Sequence, residues 1–89
     1  MEISNDLKKY LDKAETLVIK WPAKSSKQII VLEWLSTKFD SGKFYTENEV
    51  NKILNNHHDF EDLALLRREL YMKNFLDREP DGSKYWKLK

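Results

Sequence analysis

The residues best suited to bind a ligand are six basic side chains in the C-terminal part of the chain. They are Arg67, Arg68, Lys73, Arg78, Lys84 and Lys87. A guanidinium group can donate two parallel hydrogen bonds to a guanine edge or a phosphate, and an ammonium group binds phosphate as a point charge. These residue types therefore predict contacts with duplex DNA, with Arg68 and the basic hairpin as the main contacts and Arg67 in support.

Acidic residues in the same region favour a different use of the surface. Residues 57–75 contain three basic residues and four acidic ones, which are Asp59, Glu61, Asp62 and Glu69. Phosphate binding requires a net positive surface, although acids at the start of a helix also interact favourably with its dipole. A protein-contact or oligomerising role for this region therefore stays open beside DNA binding.

Arg67 has a structural alternative to a role in binding. It lies one turn from Leu63 and Leu70 and two turns from Phe60, so it borders the predicted apolar side of its helix. We expect it to form an ion pair with an acidic side chain, and the candidates are Glu47, Glu49 and Asp59.

Catalytic and metal-binding patterns are weak. The chain has no cysteine and only two glycines, which excludes thiolate chemistry and a glycine-rich phosphate loop. His57 and His58 stand beside Asp59 and Glu61, but neighbouring residues of one turn rarely converge on one ion. We expect a polar turn in which one histidine packs or caps a helix, and we expect no enzymatic activity, cofactor or metal.

Length and composition indicate one small folded domain. The chain has 89 residues, 40% of them apolar, and a net charge of +1, which is too apolar and too neutral for a disordered tail. No apolar run exceeds four residues, whereas a membrane span needs roughly 20. The N-terminal residues also lack the apolar segment of a signal peptide. We therefore expect a cytoplasmic protein without a membrane partner.

Apolar periodicity predicts four helices, at residues 4–13, 23–38, 47–54 and 59–73. Thr46 and Glu49 have the spacing of a capping box, and Asp59 is the expected N-cap of the last helix. Residues 16–21 precede Pro22 and are expected to be extended, as a strand or a packed linker. Phe44 and Tyr45 predict a minimal strand.

The C-terminal residues predict a β-hairpin. Residues 75–79 and 84–88 alternate in polarity around the turn sequence Pro80-Asp81-Gly82-Ser83, which is a strong hairpin signal. The order of elements predicts an α+β fold, a winged helix-turn-helix with a three-helix core, a C-terminal β-hairpin wing and an extra N-terminal helix. Residues 1–20 are assigned to that helix and an extended linker, and residues 21–89 to the winged-helix domain.

Several spaced motifs resemble one protein family. They are the run from Tyr45 to Asn51, the segment Leu66-Arg67-Arg68-Glu69-Leu70, Arg78, the ending Gly82-x-x-Tyr85-Trp86, and Pro22-Ala23-Lys24. Between Trp21 and Trp86 the chain resembles an uncharacterised bacterial winged-helix-like family, whose members occur alone or behind helix-turn-helix repressor domains. The resemblance implies a domain similar to transcription regulators and no sharper activity.

We therefore expect a transcription regulator that binds duplex DNA as a homodimer. In a winged helix the second helix of the pair enters the major groove and the wing contacts the backbone. The alternative is a protein-interaction or dimerisation module that binds no DNA. A positive stripe joining Arg68, Lys73, Lys84 and Lys87 favours DNA, whereas an apolar or acidic surface there favours a protein partner.

Overall fold

Residues 3–88, the part of the chain that this computed structural model describes, fold into four helices and one three-stranded antiparallel sheet. The helices are α1 (Asn5–Lys8), α2 (Ser25–Ser36), α3 (Glu47–Asn55) and α4 (Leu63–Met72). The strands are β1 (Phe44–Tyr45), β2 (Leu76–Arg78) and β3 (Tyr85–Lys87). The α+β class, the minimal strand and the C-terminal hairpin are confirmed.

The first helix is shorter than expected because the chain turns back on itself after α1. Ser4 caps α1 as predicted, with its hydroxyl accepting from the Leu7 amide at 3.1 Å. Leu11 then forms an antiparallel bridge with Val18. The Asp12 carboxylate accepts from the amides of Thr16 and Leu17, at 2.8 and 3.1 Å. The prediction of a helix over residues 4–13 was wrong beyond Lys8. The reason is that an aspartate side chain that accepts hydrogen bonds from nearby amides stabilises a turn instead of a helix.

The last helix begins later than expected for a similar reason. The Val18 amide donates to the His57 carbonyl at 2.9 Å, and the Asp59 amide donates to the Val18 carbonyl at 2.8 Å. These two bonds form a parallel bridge between Val18 and His58, which holds this part of the chain outside the helix. Asp59 is therefore not the N-cap of α4, which is Asp62, whose carboxylate accepts from the Leu65 amide at 3.2 Å.

The two middle helices follow their sequence signals closely. Thr46 and Glu49 form both bonds of the capping box, at 2.9 and 3.1 Å. Helix α2 starts at Ser25 and ends at Ser36, slightly inside the expected range 23–38. Its Leu32 and Leu35 are fully buried, as expected for a central helix.

The hairpin closes with the predicted turn and joins β1 into one sheet. The strands are ordered β1-β3-β2, so β3 pairs with both neighbours. The Gly82 amide donates to the Glu79 carbonyl at 2.9 Å, and Gly82 has a positive φ of 77°, a conformation that glycine adopts without strain. Leu76 and Tyr85 face the helices and are buried.

The hydrophobic core includes side chains from nearly every element. Leu7, Leu11 and Val18 from the N-terminal part belong to the same buried cluster as Leu66 and Leu76. The division of the chain at residue 20 stays a prediction, and residues 1, 2 and 89 of those two ranges lie outside the described residues. None of the helices described here is long and apolar enough to cross a membrane.

Candidate nucleic-acid interface

A cleft rich in arginine lies between α4 and the sheet. Its volume is about 250 Å³. The residues that line it are Glu47, Ala64, Arg67, Arg68, Tyr71, Arg78 and Tyr85, and we call it the arginine cleft. Four of them come from α4 at positions 64, 67, 68 and 71, which lie on one face of a helix. The cleft thus joins one face of α4 to the hairpin and to the start of α3.

Arg67 is fixed on one wall of the cleft by neighbours on α3. One terminal nitrogen donates to the Asn51 side-chain oxygen at 2.6 Å, and Nε lies 3.6 Å from Glu47 Oε1. Of the three predicted acidic partners, Glu47 is the one that Arg67 contacts. Tyr85 donates its hydroxyl to the same Glu47 oxygen at 3.4 Å. Arg67 therefore links α4 to α3 and has less freedom to contact a ligand.

Arg78 lies on the opposite wall, on strand β2. Its guanidinium group lies 4.9 Å from the centre of the Tyr71 ring and donates to the Pro80 carbonyl at 3.4 Å. A guanidinium stacked on an aromatic ring keeps donors free at its edge. Arg78 is therefore oriented by the helix and the hairpin turn together.

Arg68 is the arginine of the cleft with the most freedom. Its side chain is exposed, and it forms no hydrogen bond or ion pair with any residue between 3 and 88. Its donors are therefore available to a phosphate or a base edge. Glu47 is the one acid among the seven lining residues, and it is already engaged by Arg67 and Tyr85.

Burial and charge act together on the Tyr85 hydroxyl. Tyr85 is 3% exposed. Desolvation, followed by the nearby Glu47 carboxylate, raises the pKa of Tyr85 above its ordinary value of 10.0. The phenol is therefore neutral under physiological conditions and acts as a donor to Glu47.

The three predicted lysines do not line the arginine cleft. Lys73 is the C-cap of α4 and is half-buried. The Lys84 ammonium lies 5.3 Å from the centre of the Phe44 ring, and Lys87 donates to the Phe39 carbonyl at 3.3 Å. Lys84 and Lys87 thus lie towards β1, and the cleft unites only the three arginines of the six predicted residues.

The two acids at the start of α4 also lie outside the lining of the cleft. Asp62 is the N-cap of the helix, and Glu61 precedes it with a positive φ of 56°. Asp62 therefore stabilises the start of α4, whatever its negative charge contributes to the electrostatic potential near the cleft.

His57 and His58 hold the N-terminal segment and the end of α3. His58 is buried, and its Nδ1 donates to the Leu54 carbonyl at 2.6 Å. The His57 ring lies edge-on to Trp34, with ring centres 6.1 Å apart. His58 thus packs and caps the end of α3, as expected of one histidine of this turn. No group of three potential metal ligands occurs within the described part of the chain.

Sequence reasoning missed two exposed aromatic side chains, Tyr71 in the arginine cleft and Phe44 on the other side of the sheet. Tyr71 was not singled out, although it lies one turn after Arg67 and Arg68 on α4. Phe44 was noted only as a strand former, yet its side chain is 63% exposed and lies edge-on to Trp86. The alternation of Phe44 and Tyr45 in a strand was the available signal, because successive side chains point to opposite faces.

Comparison with known proteins gives one match. The model of a family described as uncharacterised proteins conserved in bacteria, DUF2087, matches residues 18–87. Searches of curated proteins and of solved structures give no significant match.

Proposed function

Since the chain belongs to the bacterial family DUF2087, whose description assigns no activity, we propose a function from the geometry. The protein is a transcription regulator that binds duplex DNA through a winged helix-turn-helix. In this proposal α3 and α4 are the helix-turn-helix pair, α4 is the recognition helix, and the β2–β3 hairpin is the wing.

The order and packing of the elements support this assignment. Helices α3 and α4 pack against each other and are joined by residues 56–62, and the hairpin packs on α4. A recognition helix flanked by a wing presents two adjacent contact surfaces to duplex DNA, one for the major groove and one for the backbone.

The observation that carries the proposal is the convergence of three arginines on the cleft between α4 and the hairpin. Arg68 is free to contact a base edge or a phosphate, and Arg78 is oriented towards the same cleft by its stacking on Tyr71. A concave surface lined by three arginines against one glutamate has an excess of positive charge, which attracts the phosphate backbone. Arg67 supports the surface by holding α4 to α3.

The protein binds DNA as a homodimer in this proposal. Two-fold symmetry would match a palindromic site, with one α4 in each half-site. The apolar side chains of α1 are largely used within the fold, since Leu7 and Leu11 are buried. Ile19, which is 45% exposed, and the half-buried Trp21 are among the N-terminal apolar side chains that remain accessible for a dimer contact.

Fluorescence anisotropy with random-sequence duplex DNA over a series of salt concentrations tests the function. We expect binding at about 50 mM salt and a linear fall of log affinity with log salt, because bound phosphates release counterions. Arg68→Ala and Arg78→Ala should each weaken binding several-fold and reduce the salt slope by about one. Lys13→Ala removes a charge from an exposed position outside the cleft and is the matched control. Undetectable binding at low salt, or affinity independent of salt, would contradict the proposal.

A protein partner is the second candidate. Arg68, Tyr71 and Met72 lie on one face of α4 at helical spacing, and Tyr71 and Met72 are 39% and 61% exposed. Arginine next to exposed apolar side chains is typical of the centre of a protein interface. This candidate predicts that Met72→Ala reduces binding of a partner protein and that the wild type binds no duplex DNA.

A further inference from the structure

The arginine cleft has the size and the polar lining of a site for a small ligand. Its volume of about 250 Å³ lies just below the roughly 300–1,000 Å³ of pockets that hold small molecules, so a ligand of few atoms fills it. Ala64 is the one aliphatic residue among the seven that line it. A DNA duplex is too wide to enter such a space, and its backbone can only lie across the mouth. The interior of the cleft can therefore hold a different ligand.

The charges of the lining favour a dianion. Three guanidinium groups and the Glu47 carboxylate give the seven lining residues a net charge of +2. Glu47 is already engaged, because its Oε1 lies 3.6 Å from Arg67 Nε and accepts from the Tyr85 hydroxyl at 3.4 Å. A phosphate monoester carries a charge of about −1.5 to −2 at pH 7, whereas a phosphate of the DNA backbone and a carboxylate each carry a single negative charge. The monoester therefore balances the charge of the cleft better than either monoanion.

Guanidinium donors are available on both walls of the cleft. On α4, the exposed Arg68 forms no hydrogen bond or ion pair within residues 3–88. On β2, the Arg78 guanidinium lies 4.9 Å from the centre of the Tyr71 ring and donates to the Pro80 carbonyl at the long distance of 3.4 Å. The planar fork of a guanidinium group matches two oxygens of a phosphate. A monoester has three terminal oxygens, so it can accept from both walls at once.

We propose that the arginine cleft binds a small molecule carrying a phosphate monoester, with Arg68 and Arg78 as its guanidinium contacts. The same two side chains are contacts in the proposed duplex binding, so the ligand and the duplex exclude each other. This exclusion rests on the proposed function, whereas binding of the ligand does not. The protein then releases DNA when the phosphorylated compound accumulates.

An NMR titration of the intact, ¹⁵N-labelled protein tests binding of the ligand. The probes are methyl phosphate, dimethyl phosphate and acetate, at about pH 7 and constant ionic strength, where methyl phosphate is mostly a dianion. Dimethyl phosphate represents the DNA backbone and acetate represents an acidic side chain. Shifts of the backbone amides of α4 and β2 and of the arginine Nε–H signals give the affinity and locate the site.

Arg68→Ala and Arg78→Ala are the main variants, and Arg68→Lys keeps the charge but removes the fork. Because Arg68 is exposed and has no polar partner within residues 3–88, its replacement leaves the fold intact. Lys13→Ala is the control, since it removes a positive charge from an exposed position outside the cleft. Circular dichroism confirms that each variant is folded.

We expect methyl phosphate to bind about tenfold more tightly than either monoanion, which corresponds to one additional charge-assisted hydrogen bond. Each alanine variant should weaken methyl phosphate binding by at least about tenfold for the same reason. Arg68→Lys should recover part of this loss, and Lys13→Ala should leave the affinity unchanged. Equal affinity for the three probes, or a methyl phosphate affinity that both alanine variants leave unchanged, would overturn the ligand site.

Competition with a fluorescent duplex tests the exclusion and separates the two proposals. Methyl phosphate should lower the anisotropy of the bound duplex, whereas dimethyl phosphate at equal ionic strength should lower it much less. Binding of methyl phosphate to the cleft without any duplex binding supports the ligand site and contradicts the proposed function. Duplex binding without a preference for methyl phosphate overturns the ligand site alone. A duplex that stays bound at saturating methyl phosphate overturns the exclusion.

Discussion

The neighbouring residues Arg67 and Arg68 have different environments. We therefore expect Arg67 to contribute to stability and Arg68 to contribute to binding. Arg67 donates to Asn51 and lies near Glu47, whereas Arg68 has no polar partner among residues 3–88. We expect Arg67→Ala to lower the free energy of unfolding by about 1–2 kcal/mol, because a charge-assisted hydrogen bond is lost and Asn51 is left without it. Arg68→Ala should change it by less than about 0.5 kcal/mol. Urea denaturation followed by circular dichroism measures both, and equal losses would contradict the division.

The turn after α1 depends on one carboxylate, and this gives it a pH dependence. Amide donation from Thr16 and then from Leu17 lowers the pKa of Asp12 below its usual 3.8. A carboxyl group whose pKa is lower in the folded than in the unfolded state stabilises the fold above the unfolded pKa. This contribution is lost as the pH falls through the folded-state value.

Asp12→Ala should therefore destabilise the protein at neutral pH and lose its effect as the pH falls below 3.8. Thermal melts of the wild type and the variant between neutral and acid pH measure this difference. Asp59→Ala, which removes an exposed carboxylate without a hydrogen bond in the described residues, is the control and should show no such convergence. A stability difference independent of pH would contradict the role of the charge.

At the scale of elements, the sequence predicted an element correctly where the hydrogen bonds that define it join residues close together in the chain. The Thr46–Glu49 capping box and the turn at Gly82 use only local hydrogen bonds, so their sequences determine them. The start of α4 was misplaced because His57 and Asp59 bind the backbone of Val18, some 40 residues earlier in the chain. Such a long-range pairing leaves no periodic signal in either segment.

The same distinction applies to the candidate site. The arginines of α4 were identified because they lie in the expected recognition helix, and Arg78 because it precedes the hairpin turn. The separation of Lys84 and Lys87 from the arginine cleft depends on the pairing of β1 with β3. The sequence of the hairpin alone contains no information about that third strand.

The capping box should contribute measurably to the stability of α3. Thr46→Ala removes the side-chain acceptor of the Glu49 amide, and the loss of such a cap costs about 1 kcal/mol. Ser26→Ala, in the first turn of α2 and without a capping bond, is the matched control and should be nearly neutral. Chemical denaturation distinguishes them, and a Thr46→Ala variant as stable as the control would show that tertiary packing alone holds α3.

At the scale of the whole molecule, side chains of the N-terminal segment pack into the same core as the rest of the fold, although the family match begins at residue 18. Leu7 and Leu11 are 1% and 4% exposed and share one buried cluster with α4 and the sheet. The Asp6 carboxylate also accepts from the Lys27 ammonium at 2.7 Å, which ties α1 to α2. An appended arm would have neither feature.

Leu11→Ala should therefore destabilise the entire molecule. Truncating a buried leucine removes apolar burial and leaves a cavity, which costs about 2–5 kcal/mol. Ile19→Ala is the control, because Ile19 follows the same bridge but is 45% exposed, and its effect should be much smaller. Unfolding of the Leu11→Ala variant should remain a single transition, with the signals of helix and tryptophan fluorescence coinciding at a lower midpoint. A separate early transition with an unchanged main one would instead show that residues 1–20 form an independent segment, as the sequence-based division at residue 20 predicts.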